Sequence, residues 1–305
     1  IQTMVADNME ELIKLLPYKS SVKLLIRISF PNPEARCDLS SKFGASLEQG
    51  RQLISFCLQQ GIQLAGCSFH AGSQLPGPEA MLFAISQIKQ LYNWCASELN
   101  YTMAVLNIGG GFPAKLSHSI PDLSTFCAPI HDLLNELFPD TEIWSEPGRC
   151  LATDCMTHIS SVIGKSIRHG KKWYYLDDGV YGTFSGKIYD HAEYQHQPLE
   201  AETDTALAPS VLAGPTCDSI DVLKEMVLLP ELKVGDLIIT PQIGAYGWAS
   251  RTQFNHLKSA AIIESDLLEM KEFASSSLRW TSLAGNPSFK SSPELELELS
   301  QITAN

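Results

Sequence analysis

Apolar positions along the first half of the chain come in two alternating patterns. Residues 22–29 (VKLLIRIS), 64–70 (LAGCSFH) and 103–108 (MAVLNI) are short, nearly continuous apolar runs, as expected of strands covered on both faces. Between them lie longer stretches whose apolar residues recur at helical spacing: 47–60, closed by Gly61, and 120–137. A further helix of about twenty residues is expected from Pro78 on. The rhythm is already present at the start, with a strand over 1–6, Asp7-Asn8 as a cap and a helix over 9–16, and it closes with a short strand over 142–145. Strands alternating with helices predict parallel βαβ units.

From about residue 156 the pattern changes. Short apolar segments at 158–163, 173–176, 211–212, 236–240 and 259–263 are punctuated by turn sequences such as Asp177-Asp178-Gly179 and Gly235-Asp236, which predicts an antiparallel β domain. Periodicity fades beyond about residue 266 into Ser-, Glu- and Leu-rich sequence. The expected organisation is therefore α/β: a (β/α) barrel portion over 1–155, a β domain over 156–265, and a peripheral or poorly ordered tail over 266–305.

Composition narrows the picture further. With 305 residues, 44% hydrophobic and 18% charged, the chain can bury a proper core, and a formal net charge of −12 leaves no basic stripe for a nucleic acid. An acidic surface can instead attract cationic small molecules. The eight cysteines, at 37, 57, 67, 95, 127, 150, 155 and 217, show no CxxC and no repeated spacing, which reads as reduced thiols in a cytoplasmic protein. Cys150, Cys155 and His158 make a poor zinc set, so no metal is expected. No run of transmembrane length and no signal peptide is present, so no membrane partner is expected.

The polar residues that interrupt the apolar pattern stand directly after the predicted strands: His70 with Ser73, Gly109-Gly110-Gly111, and Glu146 followed by Arg149. In a (β/α) barrel these positions share the C-terminal mouth, where active sites form. A glycine triplet suits close approach of backbone amides to a phosphate, although it is also a flexible turn. Arg149 could offer a second phosphate contact. A carboxylate such as Glu146 needs a partner there, and a protonated ring nitrogen would be one. His70 could lie against a flat ring, or be a satisfied core histidine. Pyridoxal 5′-phosphate (PLP) has a flat ring, a basic nitrogen and a phosphate, and fits all these groups at once. Further on, Cys217-Asp218 sets a thiol beside a carboxylate after a Gly-Pro turn.

Seven ordered motifs, SFHAGS, LNIGGGFP, SEPGR, DDGVYGTF, YDH, AGPTCDSID and QIGAYG, resemble the ornithine decarboxylase family, the barrel-type PLP-dependent decarboxylases of basic amino acids, with a bacterial-like character. The resemblance covers roughly residues 1–264. It implies an alanine racemase-like (β/α)8 barrel. It also implies that His70 stacks on the cofactor ring, that Glu146 pairs with the ring nitrogen, and that Ser73, Gly110, Gly111, Pro147, Gly148, Arg149 and Tyr246 hold the cofactor, chiefly by its phosphate. Tyr189, Asp190 and Asp218 would meet the substrate's distal ammonium, and Cys217 would be the proton donor. The implied assembly is a head-to-tail homodimer with shared active sites. The implied reaction is decarboxylation of L-ornithine to putrescine, a step of polyamine biosynthesis, with lysine as an alternative substrate.

Two departures qualify that reading. Only five barrel strands precede the β domain where a closed barrel has eight, so the first three strands, and the Schiff-base lysine on one of them, are expected to be missing by N-terminal truncation. Lys14, Lys19 and Lys23 read as surface charges and Lys42 matches a different family position, so this chain alone is expected to be inactive. The alternative is a non-catalytic, antizyme-inhibitor-like regulatory protein. Asn107 also stands where some relatives carry Asp, which puts a contact behind the cofactor in question.

Overall fold

Helices and strands form where the periodicity places them because each buries its apolar positions against a neighbour. The computed structural model describes residues 2–264, leaving aside 34, 36–38, 117–118 and 200–205, and the chain divides into two compact units, Ile1–Leu151 and Ala152 onward. Cys37 and the predicted tail over 266–305 lie outside the described residues.

The first unit runs β1 (Thr3–Ala6), α1 (Met9–Leu15), β2 (Lys23–Ile28), α2 (Leu47–Gln60), β3 (Gln63–Phe69), α3 (Glu79–Leu99), β4 (Val105–Asn107), α4 (Leu123–Leu137) and β5 (Glu142–Trp144). Its strands form one parallel sheet in sequence order. Strand register lines up Ala6, Ile26, Cys67, Leu106 and Ile143 across the sheet. This row packs with Leu53, Ile54 and Cys57 of α2 and with Ile85 and Ile88 of α3 in one core. Each fully buried aliphatic side chain of this kind contributes roughly 1.5–3 kcal/mol. The ends of α2 follow the sequence signals. Ser46 accepts from the Gln49 N–H at 3.2 Å and the Gln49 side chain answers it, while Gly61 stops the helix at φ 67°.

One residue further along each strand, the row Arg27, Ser68, Asn107 and Trp144 points to the opposite face of the sheet. Just past these strand ends come His70, Gly109 and Glu146.

The second unit contains β6 (His158–Arg168), β7 (Lys171–Leu176), α6 (Gly186–Tyr189), β8 (Gln197–Pro198), β9 (Ala208–Ala213), β10 (Val222–Leu229) and β11 (Leu237–Thr240), and the four-residue helix α5 (Arg149–Ala152) leads into it. The sheet order is β10-β9-β7-β6-β11-β8. Most pairs are antiparallel, but β7 and β9 run parallel, so the sheet is mixed. The reason is that the chain leaves β7, passes through α6, and returns to β7's side in the same direction. Val162, Tyr174, Leu176, Phe184, Leu212, Leu223 and Ile238 fill its core.

Two expectations are corrected. β10 was not foreseen, because VLKEMVLL combines good helix formers with no clear alternation. The apolar segment 259–263 forms no strand and is almost wholly exposed, since no neighbouring strand offers it a ladder.

Candidate functional site

In the first unit, three adjacent strand ends interlock. The Glu146 N–H donates to the Gly109 carbonyl at 2.7 Å, and the Leu75 N–H to the Gly111 carbonyl at 3.2 Å. Gly109 and Gly111 adopt φ 67° and 98°, a region that favours glycine. A side chain at Gly110 would sit 2.8 Å from the Glu146 carbonyl and 3.0 Å from His70 Nε2. The glycine turn is therefore pressed between the histidine and the Glu146 backbone, leaving no room for a β-carbon.

His70 Nδ1 accepts the Gly72 N–H at 3.1 Å, which leaves Nε2 to carry the ring proton. Burial and the nearby Arg27 guanidinium hold its pKa below the ordinary value, against the pull of Glu146. His70 is thus a neutral, flat ring at pH 7. The Glu146 carboxylate accepts from Asn107 Nδ2 at 2.8 Å, and Asn107 Oδ1 accepts the Gly109 N–H at 2.8 Å. Asn107 accordingly orients both the carboxylate and the glycine turn. Arg149 is buried and its Nη2 lies 3.5 Å from Ser73 Oγ, whereas Glu146, Pro147 and Gly148 are exposed.

In the second unit, Cys217 lies exposed and Asp218 half-buried on the loop between β9 and β10. Asn255 Nδ2 donates to Cys217 Sγ at 3.4 Å. Asp218 Oδ2 accepts from the Tyr181 hydroxyl and Oδ1 from the Ile220 N–H at 3.1 Å. The bond to Tyr181 lowers the Asp218 pKa and pushes the phenol up to about 12, so at neutral pH the carboxylate is ionised and the phenol keeps its proton. The Tyr181 ring stacks on Phe254 at 4.3 Å between centroids.

Tyr189 and Asp190 stand at the end of α6 on a separate segment. Tyr189 is exposed, whereas Asp190 is 7% exposed and caps the helix with its N–H on the Gly186 carbonyl. A β-carbon at Gly186 would lie 2.9 Å from the Tyr246 carbonyl, so α6 starts against the backbone of Tyr246, whose side chain is half exposed.

Several residues of these groups were not singled out from sequence. Arg27 is a charge inside the otherwise apolar run VKLLIRIS, a signal that could have been read. Tyr181 and Asp221 fall inside recognised motifs but had no assigned part, and Phe254 and Asn255 lie in a loop without any periodic signal. Among the described residues, no group of three or more His, Cys, Asp or Glu could hold a metal ion, and no helix is long and apolar enough to cross a membrane.

The ends of the parallel strands thus gather a glycine turn, a neutral histidine ring and an oriented carboxylate. Residues 1–153 match the family described as pyridoxal-dependent decarboxylase, pyridoxal binding domain. A lysine/ornithine decarboxylase from Selenomonas ruminantium is 36% identical over 250 residues, covering 82% of this chain and 63% of that protein. The crystal structure of lysine/ornithine decarboxylase complexed with cadaverine from Vibrio vulnificus superposes with a TM-score of 0.79 at 39% identity, covering 85% of this chain and 68% of that one. Antizyme inhibitor 2 from Xenopus laevis is 33% identical over 280 residues, covering 86% of this chain and 60% of that protein. The chain belongs to the ornithine decarboxylase family of PLP-dependent barrel decarboxylases. It spans about 63% of the length of the first curated relative it matches.

Proposed function

We propose that this chain serves a cytoplasmic PLP-dependent decarboxylase that converts L-ornithine to putrescine, with lysine as a second substrate. The observation that carries the reading is the convergence of His70, Gly110 and Glu146 at three neighbouring strand ends, where a β-carbon at Gly110 would strike both other residues. PLP, when bound, supplies the electron sink that decarboxylation requires.

The residues of the first unit would bind and orient it. His70, neutral and flat, suits the ring face. Glu146, steered by Asn107, would keep a proton on the ring nitrogen. Ser73, Gly110, Gly111, Gly148 and Arg149 would hold the phosphate.

Asp218, ionised at neutral pH, and Asp190 would favour a diamino acid over a neutral one, since the distal ammonium gains an ion pair that a neutral side chain cannot make. Loss of carbon dioxide leaves an electron pair on Cα, and the Cys217 thiol would deliver its proton to that carbon. We place Cys217 and Asp218 in the active site of a second copy, in a head-to-tail homodimer.

Five of the six lysines of the first unit have partners of their own. Lys14 pairs with Glu11, Lys115 with Asp122, Lys19 donates to the Gln60 carbonyl, and Lys42 and Lys89 lie over Phe43 and Phe138, while Lys23 is exposed at the start of β2. None of the six stands among His70, Gly110 and Glu146, and we expect those mouth residues to hold PLP without a covalent bond. Borohydride treatment of the chain with stoichiometric PLP, followed by peptide mapping, is expected to give only scattered labelling of exposed lysines such as Lys23, and stoichiometric labelling of one lysine would overturn this expectation. The activity is tested by mixing the chain with an intact homologue whose own Cys217 equivalent is replaced. Restored turnover is expected from a donated Cys217-Asp218 loop, whereas a stable but inert complex would favour an antizyme-inhibitor-like regulatory protein.

A further inference from the structure

We propose that Asp221 is a positioning residue: its buried carboxylate ties the loop carrying Cys217 and Asp218 to the turn carrying Tyr181, so that the thiol and the Tyr181–Asp218 pair are presented as one body. This rests on the reading of Cys217 and Asp218 as functional residues and goes beyond it by naming what holds them.

Asp221 is 3% exposed, a degree of burial that a carboxylate tolerates only when its oxygens are well bonded. Its two oxygens serve two different segments. Oδ1 accepts the Val180 N–H at 2.8 Å, on the turn after β7. Oδ2 accepts the Thr216 N–H at 3.0 Å and the Thr216 hydroxyl at 2.7 Å, on the loop after β9. Bonds to an ionised acceptor are the strong ones, and no neutral side chain could replace all three.

Two glycines make the grip possible. A β-carbon at Gly179, on the turn, or at Gly214, on the loop, would run into the Asp221 carboxylate. The loop backbone closes around the same residue, with the Gly214 N–H on the Asp221 carbonyl at 2.9 Å and the Asp221 N–H on the Asp218 carbonyl at 3.1 Å. On the turn side, Asp178 Oδ1 accepts from the N–H groups of Gly179 and Thr183 at 2.7 and 3.1 Å, so Tyr181 sits between two carboxylate anchors. Tyr181 then reaches back across to Asp218. Opening either segment therefore strains the other through Asp221 and through the phenol.

The test uses the full chain, with peptide-resolved hydrogen exchange and peptide-resolved alkylation of Cys217. Asp221→Asn keeps the shape but loses acceptor capacity on one side. Exchange over 178–183 and over 215–220 is expected to rise together by about fivefold, with Cys217 alkylation rising by a similar factor. Tyr174→Phe removes a buried hydroxyl that bonds the Leu232 N–H and faces the Pro230 carbonyl in the same core. It is expected to lower the melting temperature while leaving both segments and the Cys217 rate unchanged.

The proposal is overturned if Asp221→Asn loosens one segment and leaves the other within about twofold of wild type, or if Tyr174→Phe loosens both equally. Should Asp221→Asn not fold, Thr216→Val deletes one of the three bonds and keeps the carboxylate. It is expected to speed Cys217 alkylation about twofold, and an unchanged rate overturns the proposal. None of these readouts needs turnover. Failure here leaves the decarboxylase reading standing, and an inert complex in the mixing assay with loosened segments removes a catalytic Cys217 while the clamp survives.

Discussion

In the first unit the candidate groups stand at the ends of hydrogen-bonded parallel strands, so the backbone ladder sets where His70, Gly109 and Glu146 lie. In the second unit Cys217 and Asp218 ride on a loop whose course is fixed by a side chain, the buried carboxylate of Asp221. The difference predicts unequal tolerance. A change of side chain at the mouth alters what it binds but leaves the frame standing, whereas one substitution beneath the loop moves the frame itself.

The largest expected effect separates the two units by acid. The second unit buries His158 beside Phe184 and Asp178, and His196 beside Thr240. Burial lowers both pKa values, and that of His196 falls from 6.5 to about 4. The unfolded chain takes up this proton near 6.5 while the fold refuses it, so stability present above pH 6.5 is lost as pH falls toward 4. Full titration of His196 would remove about 3 kcal/mol. Hydrogen exchange at pH 5 against pH 7 should open β6 and β11 before the first unit's strands, and His196→Gln should flatten the dependence. Simultaneous opening of both units would break the comparison.

Next in size is Gly110→Ala, whose β-carbon would press on the Glu146 carbonyl and on His70. A strain of about 2 kcal/mol corresponds to roughly 30-fold weaker PLP binding, read by absorbance titration. Unchanged affinity would deny the glycine turn its place in the cofactor cradle. Smaller still is Asn107→Ala, which frees the Glu146 carboxylate and leaves the Gly109 N–H without its side-chain acceptor. A loss of about 1 kcal/mol, about fivefold in PLP affinity, is expected, with the melting temperature of the second unit unchanged.

The first unit was largely legible in sequence because its elements are local. Ser46 and Gly61 mark both ends of α2, and strands too apolar to have a wet face could only be covered by helices. Their place directly after parallel strands then brought His70, the glycine turn and Glu146 to one end of the sheet. The second unit was less legible because its order comes from distant partners. Nothing in VLKEMVLL says that it pairs with β9, and nothing near Ser259 says that a partner strand is lacking. The contacts of Tyr181 with Phe254 and Asp218 join positions tens of residues apart, beyond the reach of any local pattern. Asp221 was written within a recognised motif, yet its burial depends on two glycines in separate segments, Gly179 and Gly214.

That dependence sets a rule for exchanging parts between relatives. Because one carboxylate fills the space left by Gly179 and Gly214, the segments 178–183 and 214–221 form a single transplantable cassette. Grafting a cysteine loop that lacks the glycine or the carboxylate, without its companion turn, would leave the anchor without its socket. Chimaeras, and lineages drifting apart, should keep the two segments from the same parent.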